Sequence, residues 1–341
     1  MGFSAPVSEE AKKLHYDSIV IDGCTFFCEG YNDQLAQAGV TVLSVTTPDV
    51  EDDAGGAAKK IASYYRIIRN DPKLELIETV DDIFRVKEEG KVGILIVFQD
   101  ARPMADNPAM VELFYRLGTR VSVLSYNGRN FAADGCGTGA DAGLSREGRQ
   151  LVRDMNRVGM VVDLSHVGER SSLEAIDISE KPPIFSHSNP RSRANALRNI
   201  TDEQIKKVAA KGGLVGLTTY PPLSWTGGKA IPTLADYLDS MEYVIDLIGV
   251  DHVSIGTDTV ATPGAYPRDV VFRLQFLLGG TLGGYKEAFE GNPEARHLDG
   301  FEGMGDFPLI TQGLLDRGYD KEAIQKILGL NLIRIFREVW Q

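Results

Sequence analysis

The chain has 341 residues, of which 43% are hydrophobic and 25% charged, a balance typical of a globular protein with a sizeable buried core. Its formal net charge is −12, and no basic stripe interrupts the acidic background, which argues against nucleic acid as a partner. No apolar run reaches the roughly 18 residues that a membrane span requires, so we expect no membrane insertion.

The chain contains three cysteines, Cys24, Cys28 and Cys136. An odd number without regular spacing does not form a disulfide framework. The first sixteen residues, "MGFSAPVSEEAKKLHY", lack the apolar stretch of a secretory signal. Together these features predict a protein of the reducing cytoplasm.

Short apolar runs recur along the chain at intervals that leave room for helices. They are rich in Val, Ile and Leu and lack the strict alternation of a half-exposed strand, which is typical of parallel strands buried on both faces. The predicted strands cover residues 18–22, 41–47, 92–98, 121–127, 160–166, 183–188, 214–220 and 252–258.

Amphipathic segments fill most of the gaps between these runs. One of them has a clear helix start, where Thr201 and Gln204 form a candidate capping box. The predicted helices cover residues 56–70, 80–90, 107–118, 144–159, 169–179, 201–213 and 233–249.

Eight strands that alternate with helices predict an α/β fold, a (β/α)8 TIM barrel that occupies residues 1–341 as a single domain. Long loops are expected around 259–305, followed by two closing helices over 307–340. The alternative is a doubly wound open sheet, but no glycine-rich phosphate loop follows the first strand, which weakens a nucleotide-binding version of that fold.

Active sites of such barrels lie at the carboxyl ends of the strands. Polar and reactive side chains stand at that end of most predicted strands. They are Cys24, Gln99, Asp100, Tyr126, Asn127, His166, His187, Thr219, Tyr220 and Asp258.

Two of the five histidines, His166 and His187, end neighbouring strands, and Asp258 ends the last one. Two imidazoles and a carboxylate suit a divalent metal such as zinc. Asp258 either ligates the metal or takes a proton from the attacking water. The structural alternative is a pair of histidines bonded to backbone carbonyls and an aspartate that caps a helix. The other three histidines, His15, His252 and His297, are expected to be structural or exposed.

An arginine-rich stretch, "SHSNPRSRANALRN", follows the second of these histidines. It is either a solvated loop or a clamp for a substrate carboxylate, because a guanidinium offers two parallel donors. Arg191, Arg193 and Arg198 are the candidates, and this pattern does not separate them.

Several motifs in fixed order resemble the membrane dipeptidase (renal dipeptidase) family, peptidase family M19. They are "GLSREGRQLVRDMNRVGMVVDLSHVGERS", "PIFSHSNPR", "LRNITDEQIKKVAAKGGLVGL", "VSIGTDT" and "KILGLNLIRIFREVW". The resemblance implies a barrel of the metal-dependent, amidohydrolase-like hydrolase superfamily that binds two zinc ions, cleaves dipeptides and often forms homodimers. It also implies that His166 and His187 hold one metal, that Asp258 handles the proton of the water, and that Arg198 binds the substrate carboxylate.

The chain departs from the family pattern at the other metal. The first strand reads "DGCTF", so that Cys24 and Phe26 stand where the family has its ligand His and Asp. Gln99 stands at the position of the bridging glutamate, and Tyr126 at that of a histidine that contacts the substrate carbonyl. Cys24 can ligate zinc as a thiolate or be a buried structural cysteine. Asp100 would need a shifted backbone to replace the missing glutamate.

These departures predict a dipeptidase-like hydrolase that holds one zinc ion through His166, His187, Asp258 and Cys24. Tyr126, Gln99 and Arg198 would contact a small substrate that carries a carboxylate. The alternatives are a diverged non-peptidase enzyme that uses the same pocket, or a non-catalytic protein that binds a small molecule. No role is assigned to Cys28 or Cys136.

Overall fold

The computed structural model describes residues 7–27, 30–47, 50, 52–105, 107–227, 231–260 and 297–341. Cys28 and most of the predicted loop over 259–305 lie outside the described residues.

A parallel sheet forms the centre of the structure. Its strands are β1 (Ile21–Phe26), β2 (Val42–Thr46), β3 (Leu74–Leu76), β4 (Val92–Phe98), β5 (Thr119–Val123), β6 (Val161–Asp163), β7 (Ile184–Phe185), β8 (Leu214–Leu217), β9 (Val253–Ile255) and β10 (Thr259–Val260).

The strands are paired in the order β10-β1-β2-β4-β5-β6-β7-β8-β9, and every pair is parallel. The sheet closes because β9 continues along the chain into β10, where Thr259 pairs with Thr25 of β1. The short β3 stands outside this circuit, and within the described residues it pairs only with the start of β4. The predicted (β/α)8 barrel is therefore confirmed, and the open doubly wound sheet is wrong.

Helices separate most of the strands, as predicted. They are α1 (Glu9–Asp17), α2 (Asp33–Ala38), α3 (Ala54–Asn70), α4 (Val80–Glu88), α5 (Ala109–Arg116), α6 (Arg146–Val158), α7 (Glu169–Ile178), α8 (Asp202–Ala210), α9 (Leu234–Ile248), α10 (Phe307–Asp316), α11 (Lys321–Gln325) and α12 (Asn331–Val339). The capping box at Thr201 is present, since its hydroxyl accepts from the backbone of Gln204 and the Gln204 side chain accepts from the backbone of Thr201.

The first predicted strand, 18–22, begins too early. Ser18 ends α1, because its backbone N–H donates to the carbonyls of Leu14 and His15 and its hydroxyl donates to that of Leu14. Four elements, α1, α2, β3 and β10, were not predicted.

The predicted strands 160–166 and 183–188 extend too far, since β6 ends at Asp163 and β7 at Phe185. The Asp163 carboxylate accepts from the backbone N–H of Ser165 at 2.9 Å, which turns the chain out of the sheet. The two candidate histidines consequently lie on the loops just past the strands.

The C-terminal helices close the other end of the barrel. A five-residue π-helical segment, Lys326–Leu330, joins α11 to α12. The apolar face of α12 packs into one core cluster with the first residues of several strands, including Ile21, Val42 and Leu214. Because α12 covers the amino ends of the strands, the carboxyl ends are left for the site.

His15 is a structural residue, as expected. It is fully buried, its Nε2 donates to the carbonyl of Ala38 at 2.7 Å, and its Nδ1 lies 2.7 Å from the hydroxyl of Thr311. Burial lowers the pKa of His15 to about 4. The ring therefore stays neutral in the folded protein at pH values where an unfolded chain would protonate it.

We expect this buried ring to make the protein less stable in mild acid. Between a pH of about 6.5 and about 4 the unfolded state binds one more proton at His15, so the free energy of unfolding falls as the pH falls, by about 2 kcal/mol between pH 7.5 and pH 5. Urea unfolding of the wild type and of His15→Gln at both pH values measures this. The variant should be less stable at pH 7.5 but should lose less on acidification, and an unchanged pH dependence would contradict the assignment.

Among the described residues, no helix has both the length and the apolar character needed to cross a membrane.

Candidate functional site

Three backbone positions mark one rim of the barrel. Among the described residues, Asn127, His166 and Asp258 are the non-glycine residues with positive φ, at 55°, 68° and 55°. They follow β5, β6 and β9 at the carboxyl ends of these strands. L-residues rarely adopt this conformation, and such strained positions cluster at functional sites.

The two candidate histidines meet at this rim. The Nε2 atoms of His166 and His187 are 2.9 Å apart, and both residues are at most 4% exposed. Burial, assisted by the Arg198 cation, holds the pKa of each ring well below its usual range, so both imidazoles are neutral at physiological pH. Tyr126 stacks on the His166 ring at a centroid distance of 4.0 Å. Two neutral nitrogens directed at one point are suitable metal ligands.

Close backbone packing brings His187 into the barrel mouth. A Cβ atom at Gly216 or Gly256 would lie only 2.0 Å from the carbonyl oxygen of Ser186. The absence of a side chain at these two positions of the last strands allows the end of β7 to lie against them.

A buried carboxylate lies behind His187. Asp163 accepts hydrogen bonds from the backbone of Ser165 and Ser186 and from the Ser186 hydroxyl. The same hydroxyl lies 2.7 Å from Nδ1 of His187. Burial raises the pKa of Asp163, and these hydrogen bonds oppose that shift.

Cys24 and Asp258 complete the cluster. One ligand atom each of Cys24, His187 and Asp258 lie within 4.8 Å of one another. Sγ of Cys24 is 3.8 Å from Oδ1 of Asp258 and accepts from Nε2 of Gln99 at 3.1 Å. The contact joins residues at opposite ends of the barrel sequence, and it depends on the closure between β1 and β10.

Asp258 and Cys24 differ in their expected protonation states at neutral pH. Burial raises the pKa of Asp258 to about 6, although the Arg198 cation and hydrogen bonds from Cys24 and Gln99 act in the opposite direction. Asp258 is therefore ionised at neutral pH and can accept a proton. Burial, together with the charges of Asp258 and Asp22, raises the pKa of the Cys24 thiol well above its usual value, so Cys24 remains a thiol unless a cation lies beside it.

Arg198 is buried behind His166, with a relative exposure of 2%. It donates from Nε to Nδ1 of His166 at 3.0 Å, from Nη1 to the Ser188 hydroxyl at 2.7 Å and from Nη2 to the His187 carbonyl at 2.7 Å. All three acceptors are neutral, and within the described residues no carboxylate forms an ion pair with it. A buried guanidinium without a carboxylate partner has the charge and the donors to bind an anion.

The structure separates the three candidate arginines. Arg191 forms an ion pair with Glu169 at 3.0 Å, and Arg193 is 45% exposed and lies 3.9 Å from Asp239. Only Arg198 of the three contacts the histidines.

Asp100 has a structural role, so that it does not replace the missing glutamate. Its carboxylate accepts from the backbone N–H groups of Arg102 and Tyr126 at 2.8 Å each and from the Asn130 side chain at 3.0 Å. These bonds turn it away from the cluster of Cys24, His187 and Asp258 and toward the loop after β5.

Three residues of the site, Thr46, Asp163 and Ser186, were missed as functional groups in the sequence, whereas Asn127 was among the predicted strand-end groups. Thr46 contacts Cys24 and Gln99 through its hydroxyl, and the side chain of Asn127 lies 2.7 Å from Nδ1 of His166. Asp163 and Ser186 lie behind His187. The available signal was their position, since each of the three stands within three residues of the end of a predicted strand. Cys136 donates to Oδ1 of Asn127 at 3.3 Å.

The donor set fits one zinc ion. Ligand atoms around tetrahedral zinc lie about 3.3–3.8 Å apart, given metal–ligand bonds of about 2.0–2.3 Å. The ligand atoms of Cys24, His187 and Asp258 lie within 4.8 Å of one another, and the sulfur and carboxylate oxygen are 3.8 Å apart, so small side-chain shifts would bring all three to that spacing. His166 is outside this three-residue group but reaches it through the contact between the two Nε2 atoms. Within the described residues this is the one cluster of at least three such groups.

Known proteins of similar sequence carry dipeptidase names. Dipeptidase tcpJ of Claviceps purpurea (strain 20.1) is 30% identical over 271 residues, which are 78% of this chain and 56% of that protein. Dipeptidase verJ of Clonostachys rogersoniana is 30% identical over 275 residues, which are 80% of this chain and 62% of that protein. The chain thus spans somewhat more than half the length of these curated relatives.

Solved structures share the fold. A crystal structure of an amidohydrolase from Pseudomonas aeruginosa superposes with a TM-score of 0.85 at 33% identity and covers 97% of this chain and 99% of that one. A metallo peptidase from Rhodobacter sphaeroides, liganded with a phosphinate mimic of the dipeptide L-Ala-D-Ala, gives a TM-score of 0.73 at 18% identity over 95% of this chain and 100% of that one. At 18% identity, the Rhodobacter sphaeroides structure is evidence for a shared fold alone.

The sequence model of the membrane dipeptidase family matches residues 36–268 and 281–341, which is most of the chain. This match confirms the resemblance that the sequence motifs had suggested. The chain belongs to the membrane dipeptidase family, peptidase family M19.

Proposed function

We propose that the protein is a metal-dependent hydrolase that cleaves a dipeptide, or a small amide with a free carboxylate, with one zinc ion instead of two. The observation that carries this proposal is the buried guanidinium of Arg198 beside the cluster of Cys24, His187 and Asp258. The dipeptidase names of the relatives support the substrate class.

The proposed metal ligands are His187, Cys24, Asp258 and His166. When bound, zinc supplies Lewis acidity that polarises an amide carbonyl and lowers the pKa of water. A nearby cation also favours the thiolate of Cys24, which burial alone disfavours.

The chain's own groups would perform the remaining steps. Arg198 binds the carboxylate of the substrate through charge-assisted hydrogen bonds and so fixes the position of the scissile amide. Asp258 would accept the proton of the attacking water through the carboxylate oxygen that is not bound to the metal and deliver it to the leaving amine. Tyr126 and Gln99 line the same rim and would contact the substrate. Burial raises the pKa of the Tyr126 hydroxyl, so that it remains a hydrogen-bond donor.

Metal content tests this proposal directly. We expect mass spectrometry of the purified protein to find about one zinc-like ion per chain, before or after loading with zinc, and we expect the loaded protein to hydrolyse a panel of dipeptides with L- or D-residues at the C-terminal side. Two ions per chain would contradict the single-metal site. No bound ion after loading would favour the non-catalytic binding protein or the diverged non-peptidase enzyme instead.

A cytoplasmic location and a homodimer remain part of the proposal. Support for the first comes from Cys24 and Cys136, which are both free thiols, because a cysteine ligand functions in a reducing compartment. The homodimer rests on the family resemblance alone.

A further inference from the structure

A continuous chain of buried hydrogen bonds crosses the site from a cation to an anion. It runs from Nε of Arg198 to His166, from His166 to His187, from His187 to Ser186, and from Ser186 to Asp163. The Arg198 guanidinium can only donate, and the Asp163 carboxylate can only accept. The carboxylate end therefore fixes the direction of the hydrogen bonds that run through Ser186 to His187. At His166 the Asn127 side chain, 2.7 Å from Nδ1, competes with Arg198 for the same nitrogen.

The Asp163 end of the chain is fixed by the protein backbone. Oδ1 of Asp163 accepts from the backbone N–H of Ser165 at 2.9 Å and of Ser186 at 3.0 Å. Oδ2 accepts from the Ser186 hydroxyl. The backbone turn after β6 uses Oδ1, the Ser186 hydroxyl uses Oδ2, and the Ser165 hydroxyl also hydrogen-bonds this carboxylate.

The Ser186 hydroxyl carries one proton and gives it to Asp163. It must therefore accept from its other close partner, Nδ1 of His187, which lies 2.7 Å away. The ring proton of His187 is thereby held on Nδ1. Nε2, the nitrogen that lies 2.9 Å from His166, keeps its lone pair.

We propose that Asp163 and Ser186 are positioning residues that set the tautomer of His187, so that Nε2 is unprotonated and available to a metal ion. This inference rests on the metal site proposed above. Partners of this kind orient metal-ligating histidines in proteins generally. Nothing in the backbone turn or in the packing of Ser186 against Gly216 and Gly256 requires the hydroxyl itself.

Asp163→Asn tests the proposal, because asparagine has nearly the shape of aspartate but reverses the direction of the hydrogen bonds between residue 163, Ser186 and His187. The two backbone N–H groups hold the amide oxygen at the position of Oδ1, so the amide NH2 must face the Ser186 hydroxyl. That hydroxyl then accepts from Asn and donates to Nδ1 of His187, which moves the ring proton to Nε2. We expect two-dimensional ¹H–¹⁵N spectra of the metal-free protein, at mildly alkaline pH, to show His187 with Nδ1–H in the wild type and with Nε2–H in the variant. The His187→Gln spectrum identifies the signal.

Zinc affinity provides the second measurement. Competition with a chelator should show binding about 10–100-fold weaker in Asp163→Asn than in the wild type. An unchanged tautomer together with wild-type affinity would overturn the proposal. If the wild type binds no zinc, the proposed function fails, yet the spectra of the metal-free protein still decide whether Asp163 sets the tautomer.

A matched pair of serine variants covers the case in which Asp163→Asn does not fold. Ser186→Ala removes the acceptor of the His187 ring proton. Ser165→Ala removes an equally buried hydroxyl that accepts from the backbone N–H of His187 at 3.1 Å, contacts Ser186 at 3.3 Å and also hydrogen-bonds Asp163, but among the described residues forms no hydrogen bond with the ring of His187. We expect weakened zinc binding and a mixture of tautomers in Ser186→Ala only. The same result in both variants would show that the hydroxyl merely fills space.

Discussion

His187→Ala should leave a folded protein that binds no zinc and hydrolyses no dipeptide. His187 is the one histidine in the three-residue cluster with Cys24 and Asp258. Loss of a direct ligand should exceed the roughly 10–100-fold loss of affinity that follows when an outer partner of a ligand is removed. Metal analysis, circular dichroism and dipeptide hydrolysis together measure this result.

His252→Ala is the control for that variant. His252 immediately precedes β9, at the end of the barrel opposite to the candidate site, and its Nδ1 is 2.7 Å from the carbonyl oxygen of Gly213. The His252→Ala variant should retain both the bound metal and the hydrolytic activity. Zinc retained by His187→Ala at one ion per chain would place the metal elsewhere and contradict the site.

Cys24→Ser in the same experiment separates the two interpretations of that cysteine. Cobalt bound to a thiolate gives an intense sulfur-to-metal charge-transfer absorption, which a serine ligand cannot produce. If Cys24 is a ligand, this band is present in the cobalt-loaded wild type and lost in the variant. If Cys24 is a structural cysteine, neither protein shows it.

Arg198→Ala should reduce kcat/KM strongly for a dipeptide with a free carboxylate and much less for the same dipeptide with a C-terminal amide. Removal of one partner of a buried, hydrogen-bonded charge pair costs about 2–5 kcal/mol, which corresponds to roughly 30-fold to several-thousand-fold. The amide carries no charge for the guanidinium to bind. Steady-state kinetics with both substrates measures the difference.

The comparison between substrates is essential, because Arg198 also donates to His166, Ser188 and His187. A loss through displaced histidines would affect both substrates alike, and equal losses would therefore assign Arg198 to the support of the site. Arg193→Ala, at an exposed neighbouring position, should change neither value.

Most of the barrel could be predicted from the sequence because its strands are continuous apolar runs. β4 (Val92–Phe98) is buried at every residue, and its pattern leaves no other interpretation. β3 (Leu74–Leu76) was missed because three residues show no periodicity. α1 was missed although Ser8 caps it and two glutamates occupy its first turn, which are signals that the sequence does contain.

The candidate site was predictable only in part, for a physical reason. His166 and His187 come from consecutive strands that run in parallel, so their proximity follows from the fold class alone. Cys24 and Asp258 meet only through closure of the sheet, at a separation of 234 residues. The partnership between Asp163 and Ser186 depends on the register of β6 against β7, in which Asp163 pairs with Ile184, and no composition or spacing encodes that register.

The left-handed conformations of Asn127, His166 and Asp258 have a consequence for the evolution of the protein. Each costs about 1–3 kcal/mol relative to an unstrained residue, and glycine would relieve that cost at any of the three positions. Stabilising substitutions are therefore readily accessible at this rim, but each would delete a side chain of the candidate site. A lineage under selection for stability alone is therefore expected to replace these side chains by glycine, whereas a lineage under selection for the site is expected to keep them.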